Sequence, residues 1–377
     1  MNNRGRLVLV VLFFGGLTAL WVADWLQIPT SEERLARLSR VLPDLDKVTV
    51  PDVTRVEISG GAETIVLKRE GRDWRLIEPV NARADGSTVD LLITALKDLR
   101  KPPDSEPLKG EPGSFGLEPP ERVVKLFVGK AEEPVAVLEL GKKFSTDRYR
   151  YVRAKGAKSP EVAETVLIEA VDLPVNGWRD RLLFDVASYG VTGFEVTGEK
   201  RSLAAERRDQ AWTLTDPIQA PAEPLKIEGL LGGLTSLRVV EGEEGYAEND
   251  AADLTRYGLE KPAWKILLKT GAGSQTVEIG NALPGDKGEY YARRVPENDV
   301  VVVRGQVLLE LEADPHTLRS KQVTQLNPSR VDYLTIKAGD LEHRMARTQE
   351  GWKLESPVKA GADAQRIENL IALLNGI

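Results

Sequence analysis

A six-residue phrase recurs three times in this chain, as "WRLIEP" from Trp74 to Pro79, "WTLTDP" from Trp212 to Pro217 and "WKLESP" from Trp352 to Pro357. Long-period self-similarity restricts folding more than any local propensity, because each copy must reach the same local structure. Ten residues after each tryptophan stands an alanine (Ala84, Ala222, Ala362), and twenty-five after it an aliphatic residue (Leu99, Leu237, Ile377). The register runs without a gap.

Between these marks the apolar residues fall at Val89, Leu92, Ile93, Leu96 and Leu99, at Ile227, Leu230, Leu231, Leu234 and Leu237, and at Ile367, Leu370, Ile371, Leu374 and Ile377. That spacing is one stripe of an amphipathic helix. Asp85, Glu223 and Asp363 stand at the N-cap positions, and Pro224 at a first helical position, where a missing N–H costs nothing. Upstream, the alternating runs "TRVEIS", "TGFEVT" and "DYLTI" read as first strands, and "TIVLKRE", "RSLAAERR" and "EHRMART" as second strands. The tryptophan strand is the third, ended by its proline, and the tryptophan is expected to pack beneath the helix that follows.

Downstream, "FGLEPP" at 115 answers "YGLEKP" at 257, "LELGKK" answers "VEIGNA", and "RYRYVRA" answers "EYYARRV". With "RVVKLFV" and "WKILLKT" before them and "ETVLIEA" and "DVVVVRG" after, they predict four more strands per unit. The period of about 140 residues is tandem domain duplication. The expected order is a tail over 1–6, an anchor over 7–25, a juxtamembrane helix and linker over 26–47, unit one over 48–185, unit two over 186–326 and a partial third unit over 327–377. The fold class is α+β, each unit a mainly antiparallel sheet with one amphipathic helix after its third strand.

The anchor rests on "LVLVVLFFGGLTALWVA", an uncharged run from Leu7 to Ala23 preceded by Arg4 and Arg6. It is just long enough for a membrane span, with Trp21 and Trp25 at the interface. The flanking arginines place the N-terminus in the cytoplasm and the remainder outside it. Bulky Trp21 disfavours cleavage after Ala23, and Ser31 reads as the N-cap of a short following helix.

The phrases "WRLIEP", "ADGSTVDLLITALKDL", "FGLEPP", "LELGKK" and "RYRYVR", repeated at matching intervals behind an N-terminal span, resemble the bacterial family of domain of unknown function 4340. The resemblance covers nearly all of 48–377. It implies a single-span, outward-facing companion of ABC-type transport systems of the gliding-motility kind, with permease and auxiliary subunits as partners. The family brings no catalytic residues to carry over.

The chain's own chemistry points the same way. It has no cysteine, hence no thiolate metal site or cysteine nucleophile, and it has no nucleotide-binding, zinc-protease or nucleophile-elbow motif. Its net charge of -7 shows no basic domain, so nucleic acid is not an expected partner. His343 falls in an apolar strand slot, and His316 reads as a turn or helix-start residue. Ser356 and Lys359 match S-x-x-K only by sequence, at a strand end. No enzyme activity, cofactor or metal is expected, and no small-molecule ligand is assigned. Tyr149, Tyr151 and Arg153 on one strand face, with Tyr291 and Arg293 on the equivalent one, have the composition of interaction hot spots. "EGEEGYAEND" at 241–250 reads as a solvated loop. The expected function is a non-enzymatic binding or scaffolding component, with an envelope-glycan binder or an anchored carboxylate hydrolase as alternatives.

Overall fold

A computed structural model describes residues 39–102, 108–144, 148–164, 168–209, 211–285, 288–311, 314–322 and 326–374. The anchor expected over 7–25 and the helix capped by Ser31 lie outside these residues. Among the described residues no helix is long and apolar enough to cross a membrane. The chain divides between Arg181 and Leu182, a little before the boundary expected at 185. The reason is packing: Leu183 and Phe184 are buried in the second unit's core, and the Leu183 N–H donates to the Leu237 carbonyl at 3.0 Å.

In the first unit, β1 (Val53–Ser59), β2 (Ile65–Glu70) and β3 (Asp73–Glu78) form a meander, continued by the two-residue strand β4 (Ala82–Arg83). Helix α1 (Gly86–Asp98) follows, and then β5 (Arg122–Val128), β6 (Ala136–Lys143), β7 (Tyr149–Ala154) and β8 (Glu161–Glu164). The eight strands form one sheet in the order β4-β3-β2-β1-β5-β6-β7-β8, antiparallel throughout. The helix starts where Asp85 accepts from the Ser87 N–H at 3.0 Å and the Thr88 N–H at 3.3 Å. Its apolar stripe, Val89, Leu92, Ile93 and Leu96, is buried in one core with Ile58, Ile65, Leu67, Trp74 and Leu76 of the strands. Alternation along the strands sends the intervening residues to the opposite face.

The second unit repeats this with β9 (Val191–Gly198), β10 (Ser202–Arg208), β11 (Ala211–Asp216), β12 (Ala220–Pro221) and helix α2 (Pro224–Thr235). After two short strands, β13 (Arg238–Val239) and β14 (Tyr246–Glu248), come β15 (Trp264–Thr270), β16 (Gly273–Ala282), β17 (Glu289–Val295) and β18 (Val300–Arg304). The main path is again β12-β11-β10-β9-β15-β16-β17-β18, and both short strands pair with β18. Glu223 makes no side-chain cap, and Pro224 alone marks the start of α2. Residues 333–374 add β19 (Tyr333–Ala338), β20 (Leu341–Thr348), β21 (Gly351–Ser356), β22 (Ala360–Gly361) and helix α3 (Ala364–Leu374). In this smaller sheet Ile367 and Ile371 are buried, but Leu370 and Leu374 are only half-buried, since four strands cover less of the helix than eight.

Three expectations need correction. The strand expected over 164–170 lies earlier, at Glu161–Glu164, because its pairing with β7 sets Val162 opposite Tyr151. Residues 169–172 form a 3-10 turn instead. The loop expected at 241–250 contains β14, whose Tyr246 pairs with Val301. The short strands β4, β12 and β22 were not foreseen; each lies beside the tryptophan strand just before the helix.

Trp74 is 2% exposed, and its indole N–H donates to Asp90 of α1 at 2.9 Å. Trp74→Ala should therefore lower stability by about 3–5 kcal/mol, read from urea unfolding followed by far-UV circular dichroism. A change below about 1 kcal/mol would mean that the joint does not depend on the indole.

Candidate functional site

The arginine-tyrosine strands are occupied within their own units. On β7, the Tyr151 ring lies 4.7 Å from Phe115 and 4.5 Å from Phe144, and Tyr149 lies 6.3 Å from Phe144. Arg153 donates to Glu139 at 2.6 Å and to the Leu117 carbonyl at 3.4 Å. The bond to Glu139 holds the guanidinium above its ordinary pKa. On β17, Tyr291 meets Tyr257 edge-on at 4.9 Å, and Arg293 donates to Glu278 at 2.8 Å and Asn298 at 3.0 Å. All five residues are half-buried. Tyr151 and Arg153 in unit one, and Tyr291 in unit two, hold the aromatic-Gly-Leu turn against the sheet. Gly141 and Gly280 make that crossing fit, since a Cβ there would run into the carbonyl oxygen of Phe115 or Tyr257.

The satellite cluster around Tyr257 adds one polar arrangement of note. Its hydroxyl donates to Glu248 at 2.6 Å, and burial, with this bond next, raises its pKa. Glu248 also pairs with Arg256 at 3.0 Å. Among the described residues no group of three or more histidines, aspartates or glutamates is placed to hold a metal. His343 sits half-buried on β20 opposite Ile336, and His316 lies exposed in a 3-10 turn. Ser356 ends β21 and donates to the Glu342 carbonyl at 3.3 Å.

Trp74, Trp212 and Trp352 are buried on β3, β11 and β21, and Pro79, Pro217 and Pro357, each after a cis peptide bond, follow close behind those strands. Sequence reasoning passed over a second repeated residue, the arginine five places before each tryptophan. The guanidinium of Arg69 lies 4.4 Å from the Trp74 ring, that of Arg207 5.7 Å from Trp212, and that of Arg347 5.0 Å from Trp352. The constant offset was the signal that could have found it.

The two full units share this frame but differ beside the helix. In unit two a cleft of about 350 Å³ opens between α2, the start of β10 and the turn at 315–318. Val196, Leu203, Leu230, Trp264, Leu311 and Leu318 give it apolar walls, and Arg201, Lys226, Glu310 and Asp314 stand among its lining residues. Lys226 donates to the Thr317 carbonyl at 2.6 Å, tying the helix to that turn. This size and mixture of walls is that of small ligand pockets.

Several walls of the cleft differ from their counterparts in unit one. Gly229 replaces Leu91, Lys226 replaces Thr88 and Arg201 replaces Glu63 at the constant offset of 138. Trp264 stands where unit one has Arg122, whose guanidinium donates to the Gly60 carbonyl at 3.1 Å and the Val171 carbonyl at 3.4 Å. Trp178 and Leu318 hold matching places: the Asp85 N–H donates to the Trp178 carbonyl at 2.8 Å, and the Glu223 N–H to the Leu318 carbonyl at 2.7 Å. Trp178 is fully buried in its core, whereas Leu318 is half-buried at the cleft wall. Leu318→Trp should then plug the cleft. The expected result is that the full chain loses binding of an apolar fluorescent probe such as anilinonaphthalene sulfonate while keeping its melting temperature. Unchanged probe binding would show that the cleft is not the site of uptake.

No curated protein matches the chain. The family profile described as a domain of unknown function (DUF4340) matches residues 74–240 and again residues 212–377. Each match opens on a tryptophan of the repeated phrase, and the first runs on through α2, so the two share the strand and helix of unit two. The chain belongs to the DUF4340 family and carries its domain as two tandem copies.

Proposed function

We propose that this protein is a non-enzymatic binding or scaffolding component of an ABC-type transport or gliding-motility-like assembly. One N-terminal span holds it in the cytoplasmic membrane, with the duplicated units outside the cytoplasm and with permease and auxiliary subunits as partners. The observation that carries the reading is the difference between the copies. Internal bonding is repeated from unit to unit, from the arginine-tryptophan pairs to Arg153–Glu139 and Arg293–Glu278. The apolar cleft of unit two is walled in part by residues that the first copy does not share.

Duplicating a frame while varying its surface suits a protein that holds several bodies together. The charged groups bonded within the frame serve to fix strands against turns, a use that leaves chemistry to other subunits. The membrane placement rests on the apolar run from Leu7 to Ala23 and its flanking arginines, and the assembly rests on the family resemblance.

The test is crosslinking in intact cells followed by purification of the full chain from solubilised membranes. Photocrosslinkers at Ser202 and Thr317, beside the cleft, should yield adducts with a permease or auxiliary subunit identified by mass spectrometry. Recovery of the chain without any permease, auxiliary or ATPase subunit would overturn the proposal.

A further inference from the structure

The two units fill the place beside the helix differently, and unit one shows what shape the fold accepts there. Trp178 ends the turn Val175–Trp178 as Leu318 ends the turn Pro315–Leu318. Ala84 bridges to Arg179 in one unit and Ala222 to Arg319 in the other, so the two turns enter at the same point. Trp178 is fully buried in one core with Ile58, Ile65 and Leu92. Their counterparts at the offset of 138 are Val196, Leu203 and Leu230, and all three line the cleft of unit two. The first set packs with an indole, and the second faces a cleft of about 350 Å³.

Apolar space beside a core takes up rings of matching size, as an engineered cavity lined by aliphatic and aromatic side chains stays dry and binds benzene. Two further walls favour a flat ring. A Cβ on Gly198 would run into the Trp264 ring, so that ring lies directly on the backbone at the end of β9 and is held there as a fixed aromatic wall of the cleft. Aromatic rings settle offset-stacked or edge-on against such a wall. On the helix side, glycine is unfavourable within a helix, yet a Cβ on Gly229 would meet nothing within 4 Å. Packing does not call for this glycine, and its effect is to keep that wall low.

The charged lining residues select neither sign. Arg201 and Lys226 are matched in number by Glu310 and Asp314, Lys226 donates to the Thr317 carbonyl, and Asp314 accepts from the His316 N–H at 3.0 Å. In unit one the indole nitrogen of Trp178 is buried without a hydrogen-bond partner among the described residues, so the place it fills asks for shape and apolar surface alone. A ring delivered on a polypeptide would need the path that Trp178 takes. In unit two the turn ending at Leu318 already runs there, fixed by the Glu223 N–H donating to the Leu318 carbonyl at 2.7 Å. What enters the cleft therefore comes free of a backbone.

We propose that the cleft of unit two is a binding site for a small uncharged bicyclic aromatic molecule of the indole class, seated between Trp264 and the aliphatic wall of Val196, Leu203 and Leu230. Every lining residue belongs to unit two, so the site requires no partner subunit and is independent of the assembly proposed above.

The test is calorimetric titration of the purified full chain with tryptophol, alongside decanol, tryptophan and N-acetyltryptophanamide. Tryptophol should bind at one site per chain and more tightly than the other three. Leu318→Trp should weaken it about tenfold or more, because the added indole takes the apolar contact area from the ligand, and a circular dichroism melt should show the variant folded. An azido-indole photolabel on the unaltered chain should mark peptides that contain the lining residues, which locates the site without any substitution. Equal or tighter binding of decanol would make the cleft an alkyl-chain site, of tryptophan a site for a charged amino acid, and of N-acetyltryptophanamide a receptor for a polypeptide tryptophan; each would overturn the proposal. So would absence of tryptophol binding, labelling away from the cleft, or affinity that the folded Leu318→Trp variant retains.

Discussion

In each of the three sheets a guanidinium lies across an indole and reaches back to a carbonyl where the chain approaches its first strand. Arg69 is paired with Trp74, Arg207 with Trp212 and Arg347 with Trp352 across the second hairpin. The same guanidinium groups donate to the carbonyls of Val50, Tyr189 and Pro328, each in a 3-10 turn preceding the first strand. A guanidinium removed from water must keep its donors bonded. Backbone carbonyls meet part of that need while fixing chain direction, and the ring face supplies a further favourable contact; in the third sheet the buried Arg347 Nε has no hydrogen-bond partner among the described residues. In unit one Asp90 of the helix accepts from both Arg69 and Trp74. Second strand, third strand, helix and entry turn are thus held at one point, and β1, once placed, is the strand on which β5 to β8 are laid.

Much of this was legible because the repeat removes ambiguity. One tryptophan in a strand says little, but three with a fixed distance to an alanine and an apolar stripe define strand, turn and helix together. The stripes Val89–Leu96 and Ile227–Leu234 are buried where the helical period puts them. Elements too short for a period escaped: β4, β12 and β22 have two residues each, and β14 was masked by the acidic composition around it. The arginine of the strap was within reach of the same alignment, but its meaning depends on which residue it faces across a hairpin. Tyr149, Tyr151 and Tyr291 were read from composition alone. Their partners Phe115, Phe144 and Tyr257 come from other segments, and only the folded turn shows that these rings pack on one another.

A line of cations on the first sheet shows the limit most clearly. Arg55, Lys68, Arg75 and Arg83 are paired in turn across β1 to β4, yet they lie scattered in sequence among acids, within a chain of net charge -7. No window of composition marks them, because what joins them is register, and register is a property of pairing. A net charge describes solubility and long-range steering, and it does not describe one face of one sheet.

Duplication gives these differences their weight. Two units descended from one plan carry the same internal demands, so residues that serve the plan recur at the same offset, as Gly141 and Gly280 do, or Glu139 and Glu278. A position free to differ between copies is released from the frame, and what it then builds is shaped by its surroundings. Unit two places Leu318 where unit one has Trp178, and a cleft stands beside its helix. Unit one places four cations where unit two has Gly193, Glu206, Thr213 and Pro221, and the outer face of its sheet becomes charged. These departures lie on different units and on opposite sides of the sheet plan, one at the helix-bearing face and one at the face away from it. Neither copy needs both, which is the condition under which a duplicated frame can vary at two places without either disturbing the core that supports the other.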